Sequence, residues 1–303
     1  MLKIAYSPIY QHPLPEGHRF PMLKYELIPE QLLYEGTCDK DNFFEPTPVD
    51  EQWIVRTHKP QYWEDLKFLR LDPKMIRKIG FPLSEELVRR ETIITQGTID
   101  CCHFALANGI AMNVAGGTHH AYSDKGEGFC LLNDVAVASN YLIDNGLATK
   151  ILIIDLDVHQ GNGTAEIFQD QANVFTFSMH GQENYPLHKE KSDLDIGLET
   201  YTKDEEYLNI LYQTLPALIE KYKPNFLFYI SGVDILATDK LGKLSMTKEG
   251  CYSRDEFVFE QAINNKLPIV VSMGGGYSPK IIDIVDAHCN TFRLAQKMFF
   301  DGV

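Results

Sequence analysis

No stretch of this 303-residue chain approaches the ~20 consecutive apolar residues that a bilayer span requires. A membrane span is therefore not expected. Positive charge is also scarce, with 28 Lys and Arg against 42 Asp and Glu and a formal charge of −14. That balance argues against nucleic-acid backbones and anionic surfaces as partners. Six cysteines (Cys38, Cys101, Cys102, Cys130, Cys251, Cys289) include no C-x-x-C pair. A chain this long does not need disulfide staples, so they read as reduced and mostly buried. There is no Ser/Gly linker, repeat or low-complexity tract, and one domain over 1–303 is expected. Neither G-x-G-x-x-G nor a P-loop lysine is present, which removes the usual phosphate cradles. Met1-Leu-Lys-Ile-Ala-Tyr-Ser-Pro8 meets a charge and a proline too early for a signal peptide, and reads as a first strand. A soluble cytoplasmic protein is expected, or a nucleocytoplasmic one if the source has a nucleus. The oligomeric state is left open.

What is present is a 44% hydrophobic chain patterned as an α/β fold. Ile151 to Ile154, Val174 to Phe177, Phe226 to Ile230 and Ile269 to Ser272 are short apolar runs suited to parallel strands buried on both faces. Ile110 to Val114 reads as another. Amphipathic stretches over Asp204 to Lys221, Lys248 to Asn264 and Pro279 to Phe299 alternate with them, the last opened by Ser278-Pro279 as N-cap and first turn. The N-terminal third is less regular, with proline-containing loops at Pro13 to Pro21 and Pro46 to Pro60, then helices near Ser84 to Asn108. In such sheets chemistry gathers beyond the carboxyl ends of the strands.

The most informative segment is Asp155-Leu-Asp157-Val-His159, which ends the first of those runs. Strand alternation would send Asp155, Asp157 and His159 to one side. A buried strand simply emerging into a polar, Gly-rich loop is the bland alternative. Asp234 follows the Phe226 run, so Asp157, His159 and Asp234 can meet in one crevice. Three protein ligands leave a coordination position open, as in catalytic rather than structural metal sites. One histidine with two carboxylates suits zinc but does not exclude iron(II). After the Ile110 strand come Gly116-Gly-Thr-His119-His120, a histidine pair able to supply a general base and acid. After the Ile269 strand come Gly274-Gly-Gly-Tyr277, either a tight connection with a packing tyrosine or a phenol aimed at an oxyanion.

These motifs, with Gly128-Phe129-Cys130-Leu-Leu-Asn133-Asp134 and Asn162-Gly163, resemble the histone deacetylase superfamily in the same order. The likeness runs from Tyr6-Ser-Pro to the last helix. Gly17-His-Arg-Phe-Pro-Met22 and the Asp155 to Gly163 block are most similar to class IV enzymes and their small bacterial relatives. The resemblance implies an arginase-like three-layer α/β fold with a mainly parallel sheet, and zinc held by Asp157, His159 and Asp234. It implies His120 as general base and acid, His119 as its electrostatic neighbour bonded to Asp155, and Tyr277 as the group polarising the acyl oxygen. Gly128 and Phe129 would wall a substrate tunnel, with Tyr185 opposite and Leu241 near the metal. Ser178 and Met179, with the backbone of Asp155, Asp157 and His159, match the family's inner potassium site. Arg19 falls where the family lines an acetate exit path.

Two departures bear on mechanism. Asn162 stands where class I enzymes place an acid beside the second histidine, which implies a less basic His120. Thr118 replaces a bulkier residue, which would widen the foot of the pocket.

The implied activity is zinc-dependent removal of acetyl or longer acyl groups from lysine side chains of a peptide or protein. The class IV likeness raises fatty acyl groups beside acetyl. An acetylpolyamine amidohydrolase would use the same residues. An arginase-type dinuclear manganese site would need acids where Gly161 and Gly232 stand. A silent acyl-amine binding module is the reading from a different class, and a complete catalytic set argues against it.

Overall fold

Short runs of Ile, Leu, Val and Phe are too brief for helices and too apolar for half-exposed strands, so they pair side by side with helices packed over both faces. The computed structural model describes residues 1–301 and builds these elements in chain order: β1 (Lys3–Ala5), α1 (Lys24–Tyr34), β2 (Phe43–Phe44), α2 (Glu51–Thr57), α3 (Pro60–Lys67), α4 (Pro73–Ile79), α5 (Glu85–Asn108), β3 (Ile110–Asn113), α6 (Asp134–Asp144), β4 (Ile151–Asp155), α7 (Asn162–Phe168), β5 (Val174–Gly181), β6 (Leu194–Leu198), α8 (Asp204–Tyr222), β7 (Phe226–Ile230), α9 (Lys248–Asn264), β8 (Ile269–Ser272) and α10 (Ile281–Phe299).

The strands form one sheet in the order β2-β1-β3-β8-β7-β4-β5-β6, with every neighbouring pair parallel. Every residue of β3, β4, β7 and β8 is buried, as expected of strands covered on both faces. Those four lie next to one another, and Asp155 of β4 is in register with Ile230 of β7 and Ser178 of β5. The loops carrying the histidine pair, the Asp155 block, Asp234 and Tyr277 therefore leave the same edge of the sheet.

Several expectations need correction. Helix α10 begins at Ile281 rather than Pro279, and the Ser278 hydroxyl is engaged instead with Thr238 Oγ1 at 2.7 Å. The Pro46 to Pro60 region holds α2, started by Asp50, whose carboxylate accepts from Gln52 N. Strand β6 was not anticipated, because Leu194-Asp-Ile-Gly-Leu is a half-exposed edge strand with only three apolar residues. Near Ser84 to Asn108 there is a single long helix, α5, capped by Ser84 Oγ accepting from Leu87 N at 3.1 Å. All six cysteines are buried and free, and no described helix is long and apolar enough to cross a membrane.

Candidate active site

Strand β4 ends at Asp155, so alternation does not continue to His159. Convergence comes from two local turns instead. Asp155 Oδ1 accepts from Asp157 N at 3.2 Å, and Asp157 Oδ1 accepts from His159 N at 2.9 Å, each acid bending the chain back over itself. Asp155 consequently leaves the metal group and receives His119 Nδ1 on Oδ2 at 2.7 Å.

Asp157, His159 and Asp234 are buried, and their ligand atoms all lie within 4.8 Å of one another. His159 Nδ1 sits 3.0 Å from Asp157 Oδ1 and 3.1 Å from Asp234 Oδ2. The remaining oxygens are held by backbone: Asp157 Oδ2 accepts from Gly275 N at 2.7 Å, and Asp234 Oδ1 accepts from Val158 N at 3.0 Å. Gly275 is required there, since a Cβ would collide with the Asp234 carboxylate. Two buried carboxylates with one imidazole between them form a donor set and a charge deficit that a divalent cation fits. Without a cation, burial alone would lower the His159 pKa, but hydrogen bonds to Asp157 and Asp234 outweigh it and raise it to about 10.

The histidine pair is asymmetric. Burial would pull His119 down, yet the Asp155 and Asp157 carboxylates raise it to about 9. Burial, and then the neighbouring His119 and His159 rings, pulls His120 well below its ordinary value. The expectation of a less basic His120 rested on the amide partner alone, whereas burial is the larger cause here. His120 Nδ1 bonds to Asn162 Oδ1 at 2.6 Å, and the His119 and His120 rings lie 4.2 Å apart. Tyr277 packs against His159, Phe129 and Phe20, at ring distances of 6.3, 6.0 and 6.0 Å.

Two cavities meet at this centre. The outer one, about 560 Å³, is lined by the expected Gly128, Phe129, Tyr185 and Leu241, together with Lys78 and Glu190. The inner one is only about 40 Å³ and lies against Phe20, Tyr25, Phe81, Arg90 and Thr118. They share His120, Gly128, Phe129, His159 and Tyr277. Thr118 lines the foot beside Phe20, Tyr25, Phe81 and Arg90, and its hydroxyl lies 2.7 Å from Asp134 Oδ1. Arg19 is displaced from the expected position: it lies at the outer mouth, 5.0 Å over the Phe129 ring, and Arg90 is the arginine at the foot. Ser178 lies beside Asp155 in the β4–β5 register with Met179 next to it, and Ser178 Oγ is 3.0 Å from His180 Nδ1.

Several supporting residues have no role assigned from the sequence. Asp134 accepts from Thr118 N and Thr98 Oγ1, fixing the turn before His119. Asp239 accepts from Tyr277 N, Leu241 N and Gly242 N, tying the tyrosine to Leu241 in the wall of the outer cavity. Lys24 is fully buried with Nζ 3.1 Å from Gly274 O, and burial lowers it to about 8 against the pull of Asp234 and Asp157. Arg90 left a trace in sequence as a charge on the apolar stripe of Leu87, Arg90 and Ile94, and Asp134 as the last residue of the Gly128 to Asp134 motif.

A single parallel sheet with an Asp-His-Asp group and a histidine pair at its carboxyl edge defines a hydrolase of the arginase/deacetylase fold. The chain belongs to the histone deacetylase family: the profile described as histone deacetylase domain matches residues 18–292. It is 43% identical to an uncharacterized protein of Picosynechococcus sp., over 98% of this chain and 99% of that one. It is 28% identical to histone deacetylase 2 of Arabidopsis thaliana, over 86% of this chain and 70% of that protein. The crystal structure of a histone deacetylase homologue complexed with SAHA superposes with a TM-score of 0.82, at 22% identity and over 98% of this chain and 83% of that one.

Proposed function

We propose that this protein is a metal-dependent deacylase that removes acetyl groups from lysine side chains of proteins, with residues 1–303 acting as one catalytic domain in the cytoplasm. The observation that carries the reading is the pair of cavities joined at His120, His159 and Tyr277, wide outside and about 40 Å³ inside. A water needs roughly 10–15 Å³ of such space, so a foot of about 40 Å³ favours a small acyl group such as acetyl.

Asp157, His159 and Asp234 would hold zinc, with iron(II) the alternative occupant. When bound, that cation supplies Lewis acidity at the acyl carbonyl and a water of lowered pKa. The protein's own groups do the rest. His120 presents Nε2 to the centre because Nδ1 is bound to Asn162, so it can take a proton from water and pass it to the departing amine. His119, held by Asp155 at 2.7 Å, stands against the His120 ring as its electrostatic partner. Tyr277 donates its hydroxyl to the acyl oxygen, and Phe129 and Tyr185 enclose the alkyl chain. Potassium would sit at Ser178 and Met179 with the backbone of Asp155, Asp157 and His159, bracing the turn below the ligands.

A dinuclear manganese centre is disfavoured, because side chains at Gly161 and Gly232 would strike the Asp155 and Asp157 carboxylates. An acetylpolyamine would bring free cationic amines to a mouth where Arg19, Lys78 and Lys125 outnumber Glu127 and Glu190. A panel of acetyl-, butyryl- and myristoyl-lysine peptides with acetylated polyamines tests the reading. Acetyl peptide should be turned over fastest, and a preference for polyamine or myristoyl substrates would refute the substrate assignment.

A further inference from the structure

The position beside His120 that lacks a carboxylate at Asn162 has one a step further out. Asn162 is fully buried and Glu127 nearly so. Asn162 Nδ2 donates to Glu127 Oε1 at 2.7 Å and to Tyr122 Oη at 3.0 Å. Tyr122 in turn donates its hydroxyl hydrogen to Glu190 Oε1 at 3.1 Å, so its oxygen faces the amide as an acceptor. Both amide hydrogens are thereby committed to groups that can only accept. A flipped amide would set its carbonyl against a carboxylate, at the cost of burying unsatisfied polar atoms. Asn162 Oδ1 must then face His120, and the 2.6 Å contact requires the proton on His120 Nδ1.

We propose that Glu127 is a positioning residue for His120, acting through Asn162. Its carboxylate locks the amide, the amide locks the imidazole tautomer, and the lone pair of Nε2 is left facing the metal ligands. The residue belongs to the wall it stabilises. It precedes Gly128-Phe129, whose amides donate to Lys78 O and Ile79 O at 3.0 and 2.7 Å, and its other oxygen lies 3.5 Å from Lys78 Nζ. The catalytic part of this inference rests on the deacylase reading, whereas the tautomer part does not.

The test is a double-mutant cycle on acetyl-lysine peptide. Asn162→Asp alone sets two carboxylates in contact, and like charges that close cannot both ionise, so kcat should fall. Adding Glu127→Gln gives the introduced carboxylate an amide donor and should restore kcat by roughly tenfold or more, the size of coupling found within one hydrogen-bond network, with KM little changed. Glu127→Gln lowering kcat by the same factor in the wild-type and Asn162→Asp backgrounds would overturn the proposal. Nitrogen-15 NMR of the histidine rings gives a second arm without turnover, with His120 assigned by loss of its signals in His120→Gln. The wild type should show the Nδ1-protonated tautomer, and Glu127→Met should mix the two. An unchanged tautomer in a folded Glu127→Met protein refutes the lock. An inactive wild type that still shows the tautomer change would refute the deacylase reading alone.

Discussion

Replacing Gly128 by alanine should disable the protein while leaving it folded, and the size of the effect follows from the geometry. Gly128 has φ of +57°, and a Cβ there would stand 2.6 Å from His120 Cδ2, about 0.8 Å inside the 3.4 Å where ordinary contact begins. The backbone cannot easily retreat, because Gly128 N and Phe129 N are bonded to the end of α4. The ring must therefore swing and lengthen its 2.6 Å bond to Asn162. A left-handed conformation costs a residue with a side chain roughly 1–2 kcal/mol, and crowding adds roughly 1–3. Displacing a catalytic group by about 1 Å costs on the order of a hundredfold in rate. The assay is kcat/KM on acetyl-lysine peptide beside a thermal melt. Gly146→Ala is the control, since Gly146 has φ of +67° with nothing within 4 Å. It should lose stability by the backbone term alone and keep its activity. Gly128→Ala with activity within twofold of wild type would refute the argument, as would an equal loss in Gly146→Ala.

Tyr277→Phe should lower kcat by roughly a hundredfold or more with little change in melting temperature, as the loss of an oxyanion donor does; near-wild-type turnover would remove the role given to Tyr277. His58 is fully buried, with Nδ1 bonded to Tyr122 O and Nε2 accepting from Asn133 N, and burial lowers its pKa from 6.5 to about 4. The unfolded chain takes up that proton first, so stability is full above pH 6.5 and falls by ~3 kcal/mol as pH drops toward 4. Denaturant titrations at both pH values should show this increment in the wild type and its loss in His58→Gln. Arg254 and Asp255 form a fully buried ion pair, and the guanidinium also donates to Leu156 O and Gly232 O on the loops that carry Asp157 and Asp234. Arg254→Leu leaves Asp255 uncompensated and should cost about 3–5 kcal/mol in denaturant unfolding.

The parts of this architecture that follow simple periodicity were legible in the sequence. Five apolar runs named strands β3, β4, β5, β7 and β8, and the rule that chemistry gathers at their carboxyl ends brought Asp157, His159, Asp234, His120 and Tyr277 to one crevice. The parts that were not legible depend on packing from the irregular N-terminal third. Arg90, Phe20 and Tyr25 close the foot of the pocket from α5 and the segment around α1, and no spacing rule connects residue 20 to residue 120. Asp134, Asp239 and Glu127 act by accepting hydrogen bonds within loops, where an acid in sequence looks like any other turn or cap residue. The turn at Asp157 shows the limit in the other direction: Asp157 and His159 were placed on one side by a strand alternation that the chain abandons at Asp155.

Acetate release from an acetyl-lysine peptide by the purified protein, before and after chelation and after restoring one equivalent of zinc, tests the central claim most directly. Turnover should vanish with the metal and return at one ion per chain, and Asp234→Ala should neither bind that ion tightly nor recover. Turnover that survives complete metal removal, or a stoichiometry of two ions per chain, would contradict it.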